Sequence, residues 1–310
     1  MKILVTGGSG LLGRYLHLTE PEGMDVEYTW YSTDQPWCAH RLNVYLRQGD
    51  RTRAHDQHQI EYLFGKVRPD VVIHMAGVGN VDFCQKNYRL AWDTNVEGTR
   101  QLMRVANEYG AQVLLTSTNA VFSGEDPPYA EDDEREPINA YGKIRKAAED
   151  VVLREGGWIV RLFLLYGWEP PGARGNWASG AARALRDGHK LRMVNDRWYM
   201  PTYAEDAALA IWALLGQGQG EGLKALPHRV YHVAGADRVT LYDFCKTVAD
   251  TWMLDPSLVE PCSFDELEGL APRPVDSSYN LERAQEIGIE CFGIREGLEF
   301  MHESVGYQIL

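Results

Sequence analysis

No two cysteines in this chain form a C-x-x-C pair, and none shows the Cys/His spacing of a metal site. Cys38, Cys84, Cys245, Cys262 and Cys291 are scattered. That argues against a structural zinc site or a disulfide framework and fits reduced thiols, so no metal is expected. Long apolar runs are also missing, and none approaches the roughly 20 residues that span a bilayer, so no membrane association is expected. Basic charge is scarce: 31 Lys and Arg stand against 44 Asp and Glu, a net charge of −13. A polyanion is repelled on average by such a chain, which argues against nucleic acid as a partner. There is no internal repeat, and the glycine-rich 217–222 reads as a flexible surface connection. Because the first residues already read as a strand, no room for a leader is expected, and the cytoplasm is the expected location.

What is present is alternation. Apolar strand-like runs at 2–6, 26–30, 71–74, 112–117 and 158–162 are separated by segments of helical periodicity, including 60–67, 88–109 and 140–154. This pattern predicts an α/β fold with a doubly wound parallel sheet covered on both faces. With 310 residues, one folding unit with two lobes is expected. After Tyr166 the composition changes to a Gly- and Pro-rich loop at 167–175, followed by a helix over 177–186. The expected division is therefore a dinucleotide-binding domain over 1–166 and a smaller C-terminal substrate lobe over 167–310. A strand near 230–234 returns to the sheet, and 241–252 and 281–288 read as helices of the smaller lobe.

The dinucleotide assignment comes from Thr6-Gly7-Gly8-Ser9-Gly10-Leu11-Leu12-Gly13, which follows a strand and opens a helix. Gly7 can take a tight turn, Gly10 can let the backbone approach a pyrophosphate, and Gly13 permits close helix packing, while the helix start with Leu11 and Leu12 supplies amide donors. This makes the sheet Rossmann-type. The second strand runs into Tyr31 and Ser32 without the acid that would hold the ribose hydroxyls of NAD. That absence tilts the expected cofactor toward NADP over NAD, although no arginine sits at an evident clamp position. Asp50, in Gly49-Asp50-Arg51, either ends a third strand and reaches the adenine or is a solvated turn aspartate. Ala76 and Gly77 form a small-residue turn beside the cofactor, and His74 before them reads as a packed strand residue.

Tyr141-Gly142-Lys143-Ile144-Arg145 resembles a Tyr-x-x-x-Lys catalytic pair with arginine in place of lysine, and Thr118 lies upstream at the end of a strand. Residues i and i+4 share a helix face, whereas Lys143 and Lys146 project about 200° and 140° away from Tyr141. Arg145 therefore takes the lysine position.

With these motifs the chain resembles an extended short-chain dehydrogenase/reductase, similar to the dTDP-4-dehydrorhamnose reductase group. Further matches are Arg68-Pro69-Asp70-Val71-Val72-Ile73-His74, Asn95-Val96-Glu97-Gly98-Thr99, Pro128-Tyr129-Ala130-Glu131-Asp132-Asp133 and Arg273-Pro274-Val275-Asp276-Ser277. The resemblance implies NAD(P)-dependent reduction of a nucleotide-linked 4-keto-deoxysugar or related carbonyl. In that role Tyr141 is the proton donor, Thr118 the carbonyl stabiliser, and Arg145 the cation serving both phenol and nicotinamide ribose, with Asn95 at the cofactor. Dehydratases of the family place an Asp-Glu pair after the threonine. Here Asn119 and Ala120 follow, which disfavours dehydration. Leu164 stands where rhamnose-forming reductases commonly have tryptophan. Arg174, Asn176 and Trp177 either face the substrate or solvate a loop and cap a helix, and Arg273 is either a phosphate ligand or a loop arginine. Two alternatives stay open: a sugar-nucleotide epimerase, and a binding subunit like the regulatory beta subunit of methionine adenosyltransferase. A homodimer or a protein partner is compatible with either reading.

Overall fold

A computed structural model describes residues 1–42, 53–216 and 221–304, with side chains from residue 58 onward in the second stretch. The expected site residue Asp50 lies outside them, as does 217–220 of the glycine-rich connection. The first half alternates as the periodicity predicts: β1 (Lys2–Thr6), α1 (Leu11–Leu18), β2 (Asp25–Trp30), β3 (Cys38–Arg41), α2 (Arg53–Val67) and β4 (Val71–His74). Next come α3 (Val81–Lys86), α4 (Tyr88–Trp92), a π-helical segment (Asp93–Glu97), α5 (Gly98–Tyr109), β5 (Gln112–Thr118), α6 (Ala140–Arg154) and β6 (Trp158–Leu162). The second half contributes β7 (Leu165–Tyr166), α7 (Trp177–Arg186), β8 (Leu191–Val194), β9 (Trp198–Tyr199), β10 (Thr202–Tyr203) and α8 (Ala204–Gly216). It ends with β11 (Val230–Val233), β12 (Val239–Thr240), α9 (Leu241–Thr251), β13 (Val259–Cys262), α10 (Glu282–Gln285) and α11 (Ile294–Glu303). Among the described residues no helix is long and apolar enough to cross a membrane.

Seven strands form one parallel sheet in the order β11-β6-β5-β4-β1-β2-β3. This is a Rossmann-type doubly wound α/β fold. Its strands are apolar on both sides because both faces are covered. Ile3, Val5 and Ile73 face one core with Leu16 of α1 and Ile211 of α8. Leu4 and Val72 face the other, with Phe64 of α2, Leu102 of α5 and Ile144 of α6. The chain leaves β1 toward β2 and β3, then returns to β4 on the other side of β1, so a crevice opens at the carboxyl ends of β1 and β4. β11 returns to pair with β6, while β7 with β10, β9 with β12 and β8 with β13 make three small two-stranded pieces.

Several expected boundaries move. The third strand among the described residues is Cys38–Arg41, and the strand end expected at Gly49 lies outside them. The helix expected over 88–109 is interrupted by the π-helical turn, where buried Asn95 is hydrogen-bonded to Val78 through both its carbonyl and its amide. The helix expected over 281–288 shortens to Glu282–Gln285, and Gly288 takes the left-handed conformation (φ 77°) just beyond it.

Candidate active site

The turn after β1 is forced by close backbone approach. Gly7 has φ 75°, and a Cβ on it would lie 2.8 Å from the Ala76 nitrogen; one on Gly13 would lie 2.1 Å from the Gly8 carbonyl oxygen. Gly8, which the motif reading passed over, packs against Tyr28, its virtual Cβ 2.9 Å from the Tyr28 Cβ. Gly10 differs: the nearest protein atom to its virtual Cβ is 3.6 Å away, so nothing in the fold itself requires a glycine there. Helix α1 starts on Gly10 with no side-chain cap and no acid in its first turn. An open glycine and uncapped helix amides fit the phosphates of a dinucleotide.

A cleft of about 800 Å³ runs from this turn to the second half of the chain. Gly7, Gly10, Leu11, Leu12 and Gly13 line it, as do Gly77, Thr118, Tyr141 and Arg145. Asn139 caps α6, its Oδ1 accepting the Gly142 N–H at 2.8 Å and its Nδ2 donating to the Pro272 carbonyl at 2.9 Å. This sets Tyr141 at the start of the helix, facing the cleft. One turn later Arg145 is buried; its Nη2 donates to the Thr116 carbonyl, its Nη1 lies near Gly77, and its Nε has no partner among the described residues. Lys143 is exposed and Lys146 pairs with Asp150 at 3.4 Å, so neither approaches the tyrosine. Burial pushes the Tyr141 phenol above its ordinary value, while the Arg145 charge and a hydrogen bond with Thr118 pull it down. Thr118 Oγ1 also donates to Asn119 Oδ1 at 3.2 Å, and Asn119 Nδ2 donates to Ser277 Oγ at 2.8 Å. Thr118 is thus tied to the C-terminal part of the chain. Ser117 Oγ is buried in the cleft wall without a partner among the described residues.

His74 is a packed strand residue. Thr99 gives its hydroxyl proton to the Asn95 carbonyl at 2.6 Å, so the contact of His74 Nε2 with Thr99 Oγ1 (3.0 Å) makes His74 the donor. Its Nδ1 then accepts from Thr6 at 2.7 Å. Burial, with help from the Arg145 charge, lowers its pKa to about 3, which keeps the ring neutral.

The other expected residues separate. Ala76, Tyr31, Ser32 and Asn95 do not line the cleft itself: Asn95 stands behind Gly77 (2.8 Å from its virtual Cβ), and Ser32 is exposed beyond β2. The pairing of β2 with β3 places Arg41 opposite Trp30, its guanidinium 5.3 Å from the Trp30 ring and its Nε donating to the Tyr31 carbonyl at 3.3 Å. An arginine therefore does stand at the end of β2, contrary to the sequence expectation; strand pairing brings it there from ten residues downstream. Arg273 lines the cleft but is paired with Asp82 at 2.9 Å. Arg174 lines it and has no bonded partner among the described residues. Asn176 is occupied as the cap of α7, with its Nδ2 donating to the Gly167 carbonyl at 2.6 Å, and Trp177 is exposed outside the cleft lining. Trp198 and Tyr199 line the cleft although no sequence motif marked them.

The chain is similar to several known proteins over most of its length. The family profile described as RmlD substrate binding domain matches residues 1–306. Methionine adenosyltransferase 2 subunit beta of Xenopus tropicalis is 29% identical over 96% of this chain and 87% of that protein. Spore coat polysaccharide biosynthesis protein SpsK of Bacillus subtilis is 27% identical over 80% of this chain and 84% of its own length. Among solved structures, dTDP-4-dehydrorhamnose reductase of Bacillus anthracis in complex with NADP superposes with a TM-score of 0.83 at 25% identity, covering 98% of this chain and 100% of that one.

Proposed function

The chain belongs to the RmlD substrate binding domain family, a dTDP-4-dehydrorhamnose reductase-like branch of the extended short-chain dehydrogenases/reductases, and from that premise we propose that it reduces a nucleotide-linked 4-keto-deoxysugar or related carbonyl. The observation that carries this reading is the convergence of Tyr141, Thr118 and Arg145 on one cleft with an open glycine turn. The residues fit a nicotinamide dinucleotide, which supplies the hydride when bound. Thr118 and Tyr141 receive the substrate carbonyl, and the Tyr141 phenol gives its proton to the carbonyl oxygen as negative charge develops there. Arg145 keeps that phenol from becoming too weak an acid in its buried setting, and it lines the cleft that would receive the cofactor. NADP is the favoured form: no acid stands at the end of β2 before Asp34, and Arg41 stands beside Tyr31.

One second reading has support of its own. The similarity to methionine adenosyltransferase 2 subunit beta extends over nearly the whole chain, and Arg145 is held on the Thr116 carbonyl, so a dinucleotide-binding regulatory subunit with little turnover fits the same site. The deciding experiment follows oxidation of NADPH and NADH by purified protein with a 4-keto-6-deoxysugar nucleotide, with Tyr141→Phe as control. Turnover that falls by about 10²-fold or more in Tyr141→Phe is the expected result. Tight cofactor binding with no turnover would move the weight to the regulatory reading.

A further inference from the structure

The loop at 167–175 is fastened to the dinucleotide-binding half at several points. Arg14 Nη1 donates to the carbonyls of Trp168 (2.9 Å) and Glu169 (3.4 Å), and the Tyr15 hydroxyl accepts the Trp168 N–H at 2.9 Å. Both residues belong to α1, the helix that the glycine turn opens. Farther along, Gln35 Nε2 donates to the Pro171 carbonyl at 3.0 Å, and a Cβ on Gly172 would lie 3.2 Å from the Thr33 methyl. Thr33 and Gln35 follow β2, at the end of the sheet where a dinucleotide places its adenosine half. The loop is therefore a second wall over the phosphate-binding turn.

Arg174 lies on that wall and lines the same cleft as Gly10 and Gly13. The loop's own acid, Glu169, is taken by Arg183 at 2.6 Å, and Arg273 by Asp82. Arg174 has no carboxylate within bonding distance among the described residues, although the chain as a whole carries 13 excess negative charges. An arginine left uncompensated in an acidic protein, on a wall facing uncapped helix amides, is suited to a doubly charged phosphate group.

We propose that Arg174 binds the pyrophosphate of the dinucleotide, across from the glycine turn, and is not a sugar contact. This inference rests on the dinucleotide binding proposed above.

The test is fluorescence titration of the full chain with NADPH, NADH, ADP-ribose and AMP, comparing the unaltered protein with Arg174→Gln and Arg174→Lys. Arg174 is exposed on a loop, and an unchanged thermal midpoint checks that the variants fold. The expected result is a loss of about tenfold for NADPH, NADH and ADP-ribose alike, equivalent to about 1.4 kcal/mol. AMP should lose less, and Arg174→Lys should recover part of the affinity. Unchanged dinucleotide affinity in Arg174→Gln overturns the inference. A loss confined to NADPH overturns it too, because the arginine would then read the 2′-phosphate. If the unaltered chain bound no dinucleotide, the functional reading itself would fall, a result distinct from normal binding in both proteins.

Discussion

At the scale of single residues the departure that matters is Arg145. A lysine ammonium is a compact donor on a flexible stem, whereas a guanidinium is planar and spreads its charge over several donors. Here one of those donors is spent on the Thr116 carbonyl and another group, Nε–H, is left buried and unpaired among the described residues. The charge still reaches Tyr141, where it opposes the upward push of burial. Arg145→Met removes that opposition, so the phenol keeps its proton to higher pH. The alkaline limb of the pH–rate profile, where the proton donor is lost, is expected to move upward while the rate falls; a limb that stayed in place would show that Arg145 does not act on the phenol. Arg145→Lys should retain or raise turnover. The sequence showed that Arg145 shares a face with Tyr141, because helical spacing alone decides this. It did not show the hold on Thr116, which requires β5 to lie beside α6.

Among the elements, the glycine turn and helix α6 are held in different ways. In the turn, Gly7 and Gly13 are demanded by neighbouring backbone, but the space beyond Gly10 is open. Gly10→Ala is therefore expected to leave the thermal midpoint nearly unchanged while weakening dinucleotide binding about tenfold or more, measured by titration. A parallel loss of stability would mean that Gly10 serves the fold. Helix α6 carries a third residue on the face of Tyr141 and Arg145: Glu149, fully buried eight positions after the tyrosine. Its carboxylate accepts from Arg161 and Arg135, each at 2.9 Å. Arg161 in turn donates to the Glu131 carbonyl and to His232 Nε2, each at 3.0 Å, which ties α6 to β6 and β11. Removing one partner of a buried ion pair strands the other, so Glu149→Ala should cost about 3–5 kcal/mol in urea denaturation, and a loss below ~1 kcal/mol would refute this account of the helix. Glu149 and Arg161 are separated in sequence by a helix end and a turn. No local pattern pairs them, which is why this anchor was illegible until the sheet was assembled.

For the whole molecule, buried titratable groups set opposing dependences of stability on pH. Asp206 of α8 accepts the Phe292 N–H at 2.9 Å, and burial, with Glu205 and Glu296 adding to it, raises its pKa to about 6. A carboxyl whose folded pKa lies above its unfolded value near 4 favours the fold while protonated, and that advantage is lost as pH rises through about 6. Asp206→Asn keeps an acceptor for Phe292 without the charge. It should be more stable than the unaltered chain at pH 7 by on the order of 2 kcal/mol, and the two should converge near pH 4. Equal denaturation midpoints at both pH values would count against a buried, ionised Asp206. His74 works in the other direction: its folded pKa of about 3 lies below the unfolded value near 6.5, so its contribution weakens as pH falls through that interval.

The sequence by itself determined the alternation of strands and helices, the phosphate-binding turn and the face shared by Tyr141 and Arg145, because each depends on spacing within one element or between neighbours. Tertiary structure decided what depends on distant segments meeting. Pairing of β2 with β3 brought Arg41 to the end of β2, docking of loop 167–175 on α1 put Arg174 in the lining of the same cleft as the glycine turn, and Asn119 joined Thr118 to Ser277. Asn176 could be read as substrate contact or helix cap from its sequence neighbours, and only its bonds to Gly167 and Ser179 show the side chain occupied at the cap. Periodicity records which side of an element is apolar. It carries no information on which polar groups another part of the chain will reach, and those contacts shape this cleft.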